Sequence, residues 1–434
     1  MTLKRKQIVI CGGGAGGLDL AVRLSRRREL AVHLVDPRPS HVWKPLLHEI
    51  ASGTLDVASH EVSYLALAAW RGFVFAQGRL EGIDRSSSAV LIGATHDRDG
   101  RIIIPQRRLA YDLLVLAVGG VSNDFNVPGV SLHAQFLDSV LDAERIFERI
   151  LQACMSANYG PPNDPPESFD VRIVGGGATG VELAAELRSS VRTLAGYGLD
   201  RIDPDQFLRI SIVNADKRLV QQLPVRASES VQRTLIGLGI EVRNDSNVVV
   251  VERDAVLLKN GEALHANLTV WAAGVKAPAF LRGFGDLETN RNNQIVVDHS
   301  LQSISDPSIF ALGDCASAPW LGTNLRVPPS AQAAHQQALF LSWSIRRRLS
   351  NQPPGEFEYN DLGSLLSLGG SGGVGRLMGF IRGAGFEIEG FAANLLYRWL
   401  YKRHLASLFG WGAVILDTFG NWMRRSTRPR VKLH

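Results

Sequence analysis

Cysteine is scarce in this sequence. Three cysteines, Cys11, Cys154 and Cys315, occur in 434 residues, and no two of them are close along the chain. The sequence therefore has no C-x-x-C pair and no cysteine spacing typical of a metal site. Cys11 falls inside an apolar run, where a small core residue is expected.

Acidic residues are nearly missing from one region. Residues 391–434 contain eight Lys or Arg and one acid, Asp417, which is a net charge of +7. The whole chain carries +5, so the other residues sum to about −2. Because the positive charge is confined to the C-terminal region, it predicts contact of that region with an anionic surface and argues against a nucleic-acid-binding protein.

A long apolar run is also missing. The stretch at 405–416, LASLFGWGAVIL, has 12 uncharged residues, which is too short to span a bilayer. The first apolar run begins by Gln7, after six residues, so no signal peptide is expected. We expect a chain that works in a reducing, cytoplasmic compartment.

Two stretches of the chain repeat one glycine pattern. Residues 7–24 read QIVICGGGAGGLDLAVRL, and residues 171–188 read VRIVGGGATGVELAAELR. Each is an apolar run, then G-x-G-x-x-G, then a run with helical period. In this motif the first glycine permits a tight turn, the second lets a pyrophosphate approach the backbone, and the third lets the helix pack on the sheet. Two copies in one context predict two dinucleotide sites.

The order of the apolar runs predicts an α/β protein with two Rossmann-like dinucleotide-binding domains, the second inserted in the first. Strands are expected at 7–11, 31–35 and 111–120; a proline-rich linker at 158–170 follows, and the strand at 309–317 returns to the first domain. The expected boundaries are 1–165 and 291–385 for the first domain, 166–290 for the second, and 386–434 for a C-terminal amphipathic helical membrane-binding region.

The membrane-binding region is expected to begin with a helix at 391–403, FAANLLYRWLYKR. One face holds Asn394, Arg398 and Lys402, and the other holds Leu395, Leu396, Trp399 and Leu400. Arg403 interrupts the apolar face, which predicts that the helix ends there. Aromatic residues beside clustered arginines are typical of a helix that lies on a bilayer, although a dimerisation helix or a cap on the core would have the same pattern.

Eight motifs together resemble the bacterial type II NADH:quinone oxidoreductases. They are GGGAGGLDLA, VWKPLLHEIASG, SNDFNVPG, VGGGATGVELAAEL, WAAGVKAP, ALGDCAS, PPSAQAAHQQA and the terminal RPRVKLH. The resemblance implies a single-subunit respiratory flavoprotein that passes hydride from NADH to FAD and two electrons to ubiquinone or menaquinone, without pumping protons. It also implies peripheral attachment to lipid on the cytoplasmic face of the inner membrane, and a homodimer is expected.

The resemblance assigns roles to particular residues. Gly12, Gly14, Ala15, Gly16 and Gly17 are expected at the FAD pyrophosphate, Asp36 at the adenosine ribose, Lys44 and Pro45 beside the isoalloxazine, and Asp314 at the ribityl–phosphate region. Gly175, Gly177 and Gly180 are expected at the NADH pyrophosphate, Ala273 and Gly274 beneath the nicotinamide, and Ala331 at a cofactor. Gln332 and Gln336 match the A-Q-x-A-x-Q quinone motif. Spaced i, i+4, they can both reach one ligand, but an amide cannot protonate it.

Hydride transfer from a nicotinamide to a flavin needs no acid or base from the protein, whereas quinone reduction consumes protons. Glu182 is a candidate on the route that supplies them. An acid in the first helical turn is also favoured by the helix dipole, as Asp19 is after the first motif, so both interpretations stay open. His48 and Glu49 are further candidates, for which a structural hydrogen-bonding role is preferred.

One position departs from the resemblance. The second strand of the second Rossmann unit ends at Asn214, where relatives usually carry an acid that binds the ribose and repels the 2′-phosphate of NADPH. Lys217 and Arg218 follow. We expect weaker discrimination against NADPH, and restored NADH preference in an Asn214→Glu variant; the alternative is that Asn214 only ends the strand.

Other functions stay open from the residues alone. The absence of a redox cysteine pair argues against disulfide reductases and sulfide:quinone reductases. A soluble NAD(P)H:acceptor reductase serving a ferredoxin-like protein, or a redox-sensing flavoprotein, has the same two nucleotide motifs.

Overall fold

The computed structural model describes residues 5–161, 166–369, 373–378, 385–424 and 431. The α-helices in these residues are α1 (Ala15–Leu24), α2 (Leu47–Ala51), α3 (Val57–His60), α4 (Tyr64–Arg71), α5 (Val130–His133), α6 (Val140–Tyr159), α7 (Ala178–Ala195), α8 (Pro204–Phe207), α9 (Val225–Gly237), α10 (Ala331–Leu349), α11 (Phe391–Phe409) and α12 (Trp411–Arg424).

Two largely parallel sheets contain the strands that position the nucleotide motifs. They are β1 (Lys6–Cys11), β2 (Leu30–Asp36), β3 (Val74–Gln77), β4 (Leu113–Leu116), β5 (Gln135–Phe136), β6 (Phe169–Val174), β7 (Leu208–Val213), β8 (Glu241–Arg243), β9 (Leu268–Trp271), β10 (Gln302–Ser303) and β11 (Asp306–Ala311). Antiparallel sheets are formed by Leu80–Asp84, Ala89–Ile92 and Arg107–Ala110, by Val248–Val251, Ala255–Leu258 and Ala263–His265, and by Gly363–Ser367, Gly373–Met378 and Gly385–Gly390.

The first compact unit comprises the described residues of 1–43, 60–121 and 275–360. Its sheet has the order β10-β11-β4-β1-β2-β3, with β10 antiparallel to β11 and the other neighbours parallel. Ile8 pairs with Leu113 on one side and Val32 on the other. The inner strands are apolar and buried on both faces, as expected for a parallel sheet covered by helices. Helix α1 packs against α10 in this unit.

The second compact unit comprises the described residues of 44–59, 122–274 and 361–434. Its sheet has the order β5-β9-β6-β7-β8, and all neighbours are parallel. Helix α7 follows β6 and is buried over most of its length. Polar residues one turn apart, Glu182, Glu186 and Ser190, are buried within it. Helix α2 packs against α7 and α6.

The boundaries of the two compact units differ from the expected domain boundaries. Helix α6, which the sequence analysis placed in the first domain, belongs to the second unit, and so does the segment 44–59. Helix α2 of the segment 44–59 packs on α7 and α6, and α6 also packs against β5; proline content and strand order do not reveal these tertiary contacts. Residues 162–165 of the expected linker lie outside the described residues.

The helix expected at 391–403 is longer than predicted. It continues to Phe409, and Gly410, with φ +83°, separates it from α12. The prediction that Arg403 ends the helix is wrong, because its guanidinium lies over the ring of Trp399, 5.8 Å from the centroid. The expected apolar face is not the face that α11 buries. Among the described side chains of this helix, the buried ones are Tyr397, Tyr401, His404 and Leu408.

The side chains of Asn394 and Arg398, and residues 425–430 and 432–434 with most of the terminal basic cluster, lie outside the described residues. Lys402 pairs with Asp417 of α12 at 3.0 Å. Among the helices that are described, none combines the length and apolar character needed to cross a bilayer.

Candidate active site

The first glycine motif forms a tight turn between β1 and α1. Gly12 has φ +110°, and a Cβ there would lie 2.2 Å from the carbonyl oxygen of Ala117. A Cβ on Gly17 would lie 2.0 Å from the oxygen of Gly12, so helix and turn are in direct contact. At Gly14 a Cβ would meet no atom within 4 Å. This backbone fits a pyrophosphate approaching Gly14 at the N-terminus of α1.

Gly13, inside this turn, is held at both ends of its peptide. Its N–H donates to Asp36 Oδ2 at 2.7 Å, and its carbonyl accepts from the Tyr64 hydroxyl at 2.7 Å and from His41 Nδ1 at 3.0 Å. Asp36 Oδ1 accepts from the N–H of Arg38 at 2.9 Å. Each carboxylate oxygen retains a further lone pair, so Asp36 fits a ribose hydroxyl.

Sequence reasoning missed His41 and Tyr64. Neither belongs to the glycine motif, and only the fold brings β2, the chain after it and α4 to one peptide. Within the motif, Ala15 begins α1, and a Cβ on Gly16 would lie 2.5 Å from Leu312 Cδ1 and 2.9 Å from the oxygen of Ala334 on α10. Gly16 is therefore a packing position between the two helices.

The turn after β11 carries Asp314. The N–H of Gly313 donates to Gln337 Oε1 at 2.6 Å, and the Asp314 carbonyl accepts from Gln294 Nε2 at 3.0 Å. A Cβ on Gly120 would lie 2.9 Å from Asp314 Cβ. Asp314 thus stands at the carboxyl ends of β11 and β4, beside the first motif, where parallel sheets bind their ligands. Gln294 and Gln337, which brace the turn, carried no sequence signal.

Helix α10 begins at Ala331 and carries the two glutamines of the predicted quinone motif. Gln332 Nε2 donates to the Tyr359 hydroxyl at 2.8 Å. Gln336 makes two hydrogen bonds with the backbone of Asn360, through Nε2 at 2.8 Å and Oε1 at 3.0 Å. Both amides therefore lie on one helix face, toward the chain at 359–360, and their role at a quinone stays a prediction.

The second glycine motif repeats the geometry of the first. Gly175 has φ +119°, and a Cβ there would lie 2.7 Å from the oxygen of Ala272. A Cβ on Gly180 would lie 2.2 Å from the oxygen of Gly175, and a Cβ on Gly177 would meet nothing within 4 Å. The close approach, the helix contact and the open position thus recur in order, which fits a second pyrophosphate at the N-terminus of α7.

The loop after β9 contains Ala273 and Gly274. Gly274 has φ +65°, and a Cβ there would lie 2.5 Å from the Phe125 ring. Trp271 Nε1 donates to the Asn123 carbonyl at 2.8 Å. The loop is therefore packed against residues 123–125, while its expected place beneath a nicotinamide stays a prediction.

Asn214 directly follows β7, which ends at Val213, and its side chain is buried. Its Nδ2 is surrounded by three acceptors: the carbonyls of Asp216 at 2.9 Å and Arg218 at 3.1 Å, and Asn244 Oδ1 at 2.9 Å. A Cβ on Gly176 would lie 2.6 Å from Asn214 Oδ1. A carboxylate at this position would face these oxygens without a hydrogen to share. That Asn214→Glu restores NADH preference stays a prediction; because the amide organises its own loop, the substitution is also expected to disturb that loop.

Arg218, which follows Asn214 in the same loop, donates its hydrogen bonds to backbone carbonyls of the chain. Its guanidinium donates to the carbonyls of Leu223 and Gln221, both at 2.7 Å.

The resemblance implies that Lys44 lies beside the isoalloxazine. Lys44 Nζ lies 3.3 Å from Asp138 Oδ1, and the same carboxylate accepts from the N–H of Ser122.

Glu182 and Asp19 occupy the same place after the two motifs, but they differ in their partners. Asp19 Oδ1 lies 3.0 Å from Arg23 Nε, and Oδ2 lies 2.9 Å from His335 Nδ1. Burial acts to raise the pKa of Asp19, but the hydrogen bonds and charges of His335 and Arg23 bring it below its ordinary value. Asp19 is therefore an ionised, paired carboxylate.

The Glu182 carboxyl lies buried beside a histidine and other acids. Its Oε1 accepts from the N–H of Ser367 at 3.1 Å, and Oε2 lies 3.5 Å from His48 Nδ1. Burial raises the pKa of Glu182 well above its ordinary value; the Ser367 N–H opposes this, and the charges of Glu49 and Glu186 add to it. A carboxyl whose pKa is raised keeps its proton to a higher pH and can donate it, which favours the proton-supply interpretation over the dipole interpretation.

His48 is buried in the same cluster. Burial lowers its pKa to about 4, although a hydrogen bond with the Pro45 carbonyl opposes the shift. The ring meets Tyr397 edge-on, with centroids 6.3 Å apart, and the Tyr397 hydroxyl donates to the Pro45 carbonyl at 3.2 Å. Burial also raises the pKa of Glu186 to about 6, against a hydrogen bond from Thr54. The resting cluster thus contains a neutral histidine beside a neutral carboxyl.

Comparison with known proteins agrees with this geometry. The family model described as pyridine nucleotide-disulphide oxidoreductase matches residues 6–338. The chain is 38% identical to a type II NADH:quinone oxidoreductase of Haemophilus influenzae over 99% of this chain and 100% of that relative. The chain belongs to the type II NADH:quinone oxidoreductases, within the pyridine nucleotide-disulphide oxidoreductase family.

More distant relatives also match over nearly the whole length of the chain. The demethylphylloquinone reductase NdbB of Synechocystis is 29% identical over 92% of each chain. The solved structure of NDH2 from Plasmodium falciparum in complex with NADH has a TM-score of 0.82 at 21% identity, covering 99% of this chain and 100% of that one. The family and the Rossmann-type α/β fold predicted from the motifs are confirmed.

The disulphide in the family's name has no counterpart here. Cys11, Cys154 and Cys315 are free and buried, and burial raises the pKa of each thiol. A thiol without thiolate character is a poor nucleophile and redox partner. Electrons are therefore not expected to leave a flavin through cysteine in this member of the family.

Proposed function

We propose that this protein oxidises NADH through FAD and reduces a membrane quinone in a respiratory chain, without pumping protons. The observation that carries the proposal is the pair of glycine turns with one geometry, at 12–17 and 175–180, in a chain whose 38% identical relative is named for NADH and quinone. Two nucleotide sites and no reactive thiol describe a flavoenzyme whose acceptor takes electrons from the flavin itself.

FAD, when bound, supplies the hydride acceptor and the two-electron donor. The chain supplies binding and orientation. The turn at 12–17 and Asp36 hold the pyrophosphate and the adenosine ribose, and the turn at Asp314, braced by Gln337, holds the ribityl–phosphate region. Lys44 and Pro45 are proposed beside the isoalloxazine.

The turn at 175–180 holds the pyrophosphate of NADH, and Ala273 and Gly274 support the nicotinamide. At the adenosine ribose the chain offers the neutral Asn214 where an acid would repel a 2′-phosphate. We expect NADPH to be usable, with a kcat/KM for NADH less than about a thousandfold greater, since a larger gap of roughly 4 kcal/mol would require active exclusion of the phosphate.

The quinone is proposed to bind Gln332 and Gln336, whose amide hydrogens can pass from their present acceptors to a quinone carbonyl. Neither amide can give up a proton. Glu182, a neutral buried carboxyl, is proposed to supply it. The net reaction is NADH + H⁺ + quinone → NAD⁺ + quinol, so one proton enters from the medium in each turnover.

The C-terminal helices are proposed to lie on anionic lipid at the cytoplasmic face of the inner membrane, where ubiquinone or menaquinone is reached. Two features support this. The C-terminal residues are basic, and α11 and α12 leave large apolar side chains exposed: Leu395, Trp399, Trp411, Ile415, Leu416 and Phe419. A homodimer is also proposed, for which light scattering in detergent is the direct measurement.

NADH oxidation by the purified protein, with and without a short-chain quinone in detergent, tests the function. We expect rapid flavin reduction by NADH and steady turnover only with quinone. A soluble reductase would turn over with a ferredoxin-like acceptor and not with quinone, and a redox sensor would accumulate a long-lived reduced state. Either result would overturn the proposal.

A further inference from the structure

His48 is buried with its two ring nitrogens in different states. Nε2 has no hydrogen-bond partner in the described part of the chain, so the bond with the Pro45 carbonyl is made by Nδ1. A carbonyl can only accept, and therefore the neutral ring carries its hydrogen on Nδ1. The Tyr397 hydroxyl donates to the same carbonyl and fixes its position. Nε2 is left as a bare, buried acceptor.

Glu182 needs a source of protons if it donates one in each turnover. Loss of its proton would leave a carboxylate that is shielded from water and close to Glu49 and Glu186. Such a charge is costly unless a cation forms beside it. In the described residues, the basic side chain recorded in contact with this carboxyl is His48, with Nδ1 at 3.5 Å from Oε2.

We propose that His48 relays a proton from water to Glu182 after each quinone reduction, an inference that rests on the proposed role of Glu182 as the proton donor. When the Glu182 O–H bond breaks and its proton joins the quinone oxygen, the new carboxylate attracts a proton from water to His48 Nε2. The Nδ1–H bond then breaks and an O–H bond forms on Glu182 Oε2. The ring then carries its hydrogen on Nε2, and loss of that hydrogen to water with uptake of another at Nδ1 restores the starting tautomer. Over the cycle the pair has gained one net proton from water and given one to the quinone.

Other ionisable groups lie near His48 and Glu182 and influence which of the two holds a proton. The neighbours are Glu49 on α2, Glu186 on α7, and Tyr397 and Tyr401 on α11. The acids raise the proton affinity of the pair as a whole, and burial raises the pKa of Tyr397 so that the phenol stays neutral. At rest Glu182 therefore keeps its proton, and His48 is neutral with its one ring hydrogen on Nδ1.

His48→Asn is the sharpest test, because its amide N–H can replace Nδ1–H toward Pro45 but cannot carry a proton onward. We expect NADH to reduce the flavin at the wild-type rate, while kcat with saturating quinone falls about tenfold or more at pH 8 and much less at pH 6. His48→Ala should regain activity when imidazole is added. His33→Gln, the loss of another partly buried histidine with a lowered pKa, in β2, should leave the pH profile unchanged.

The outcomes separate the relay from the function beneath it. A pH-independent loss in His48→Asn, or equal slowing of flavin reduction, would assign His48 a structural role and overturn the relay, as would His48→Ala activity that imidazole does not change. If Glu182→Gln is impaired with quinone but His48→Asn is not, the relay alone fails. If Glu182→Gln reduces quinone normally at every pH, both the relay and the proposed donor role of Glu182 fail.

Discussion

Asn214→Asp should destabilise the second unit, although the substitution changes one atom type. The wild-type Nδ2 lies within 3.1 Å of three acceptor oxygens, and a carboxylate would place an oxygen among them. Losing two hydrogen bonds costs about 2 kcal/mol, and an unpaired buried charge adds about 1–2 kcal/mol. We therefore expect a loss of about 3–4 kcal/mol, or a Tm lower by roughly 6–16 °C for a unit of this size.

The loss of stability in Asn214→Asp should depend on pH. Repulsion from the three oxygens raises the pKa of the introduced carboxyl in the folded state. Stability is then retained below the unfolded pKa and lost as pH rises through the folded pKa. Thermal unfolding of FAD-loaded protein at pH 5 and pH 8 measures it. Ala215→Asp, which adds the same charge at an exposed position of the same loop, is the control. If the two variants unfold together at pH 8, Asn214 does not organise the loop.

Three further predictions concern the proposed quinone site, Glu182 and the exposed face of α12. Gln332→Ala or Gln336→Ala should raise the KM for quinone with flavin bleaching by NADH unchanged in stopped flow; equal slowing of both half-reactions would contradict the quinone assignment. Glu182→Gln should gain stability relative to the wild type at pH 8 compared with pH 4, because burial raises the pKa of Glu182 and ionisation of the unfolded chain weakens the wild type as pH rises; a pH-independent difference would mean that the carboxyl is not buried neutral. Replacing Ile415, Leu416 and Phe419 of α12 by serine should release the protein from anionic vesicles with FAD retained, and continued co-sedimentation would exclude this surface as the anchor.

Helix α11 is part of the packed interior of the second unit as well as of the proposed membrane-binding region. Deleting the chain from Phe391 would be expected, from sequence, to release the membrane anchor alone. Tyr397 and Tyr401 are buried, however, and Tyr397 bonds to Pro45, so α11 belongs to the interior of the second unit. The deletion should therefore destabilise this unit as well, and substitutions on the exposed face of α12 are the cleaner test.

The sequence predicted those features of the fold that depend on local chemistry. Both glycine turns, the strands before them and the acid ending β2 are short-range patterns, and each is found where the motif places it. Side chains that reach a site across the fold left no such pattern. Tyr64 bonds to a peptide 51 positions away, and Ser367 reaches Glu182 across 185 positions. Asn214 shows the opposite limit, since the residue type is visible in the sequence while its bonding partners lie in its own loop and just after β8.

The two copies of the motif show how one backbone position acquires two chemistries. Asp19 and Glu182 lie equally far along helices that begin with the same glycine turn, and both are buried. Asp19 contacts Arg23 and His335, so its charge is paired and its proton is lost. Burial raises the pKa of Glu182, whose neighbours are a buried neutral histidine and carboxyl groups that repel its charge, so the same helical position keeps its proton. The packed neighbours, and not the motif, therefore decide which acid can serve as a proton donor, and only the second copy has neighbours suited to that role.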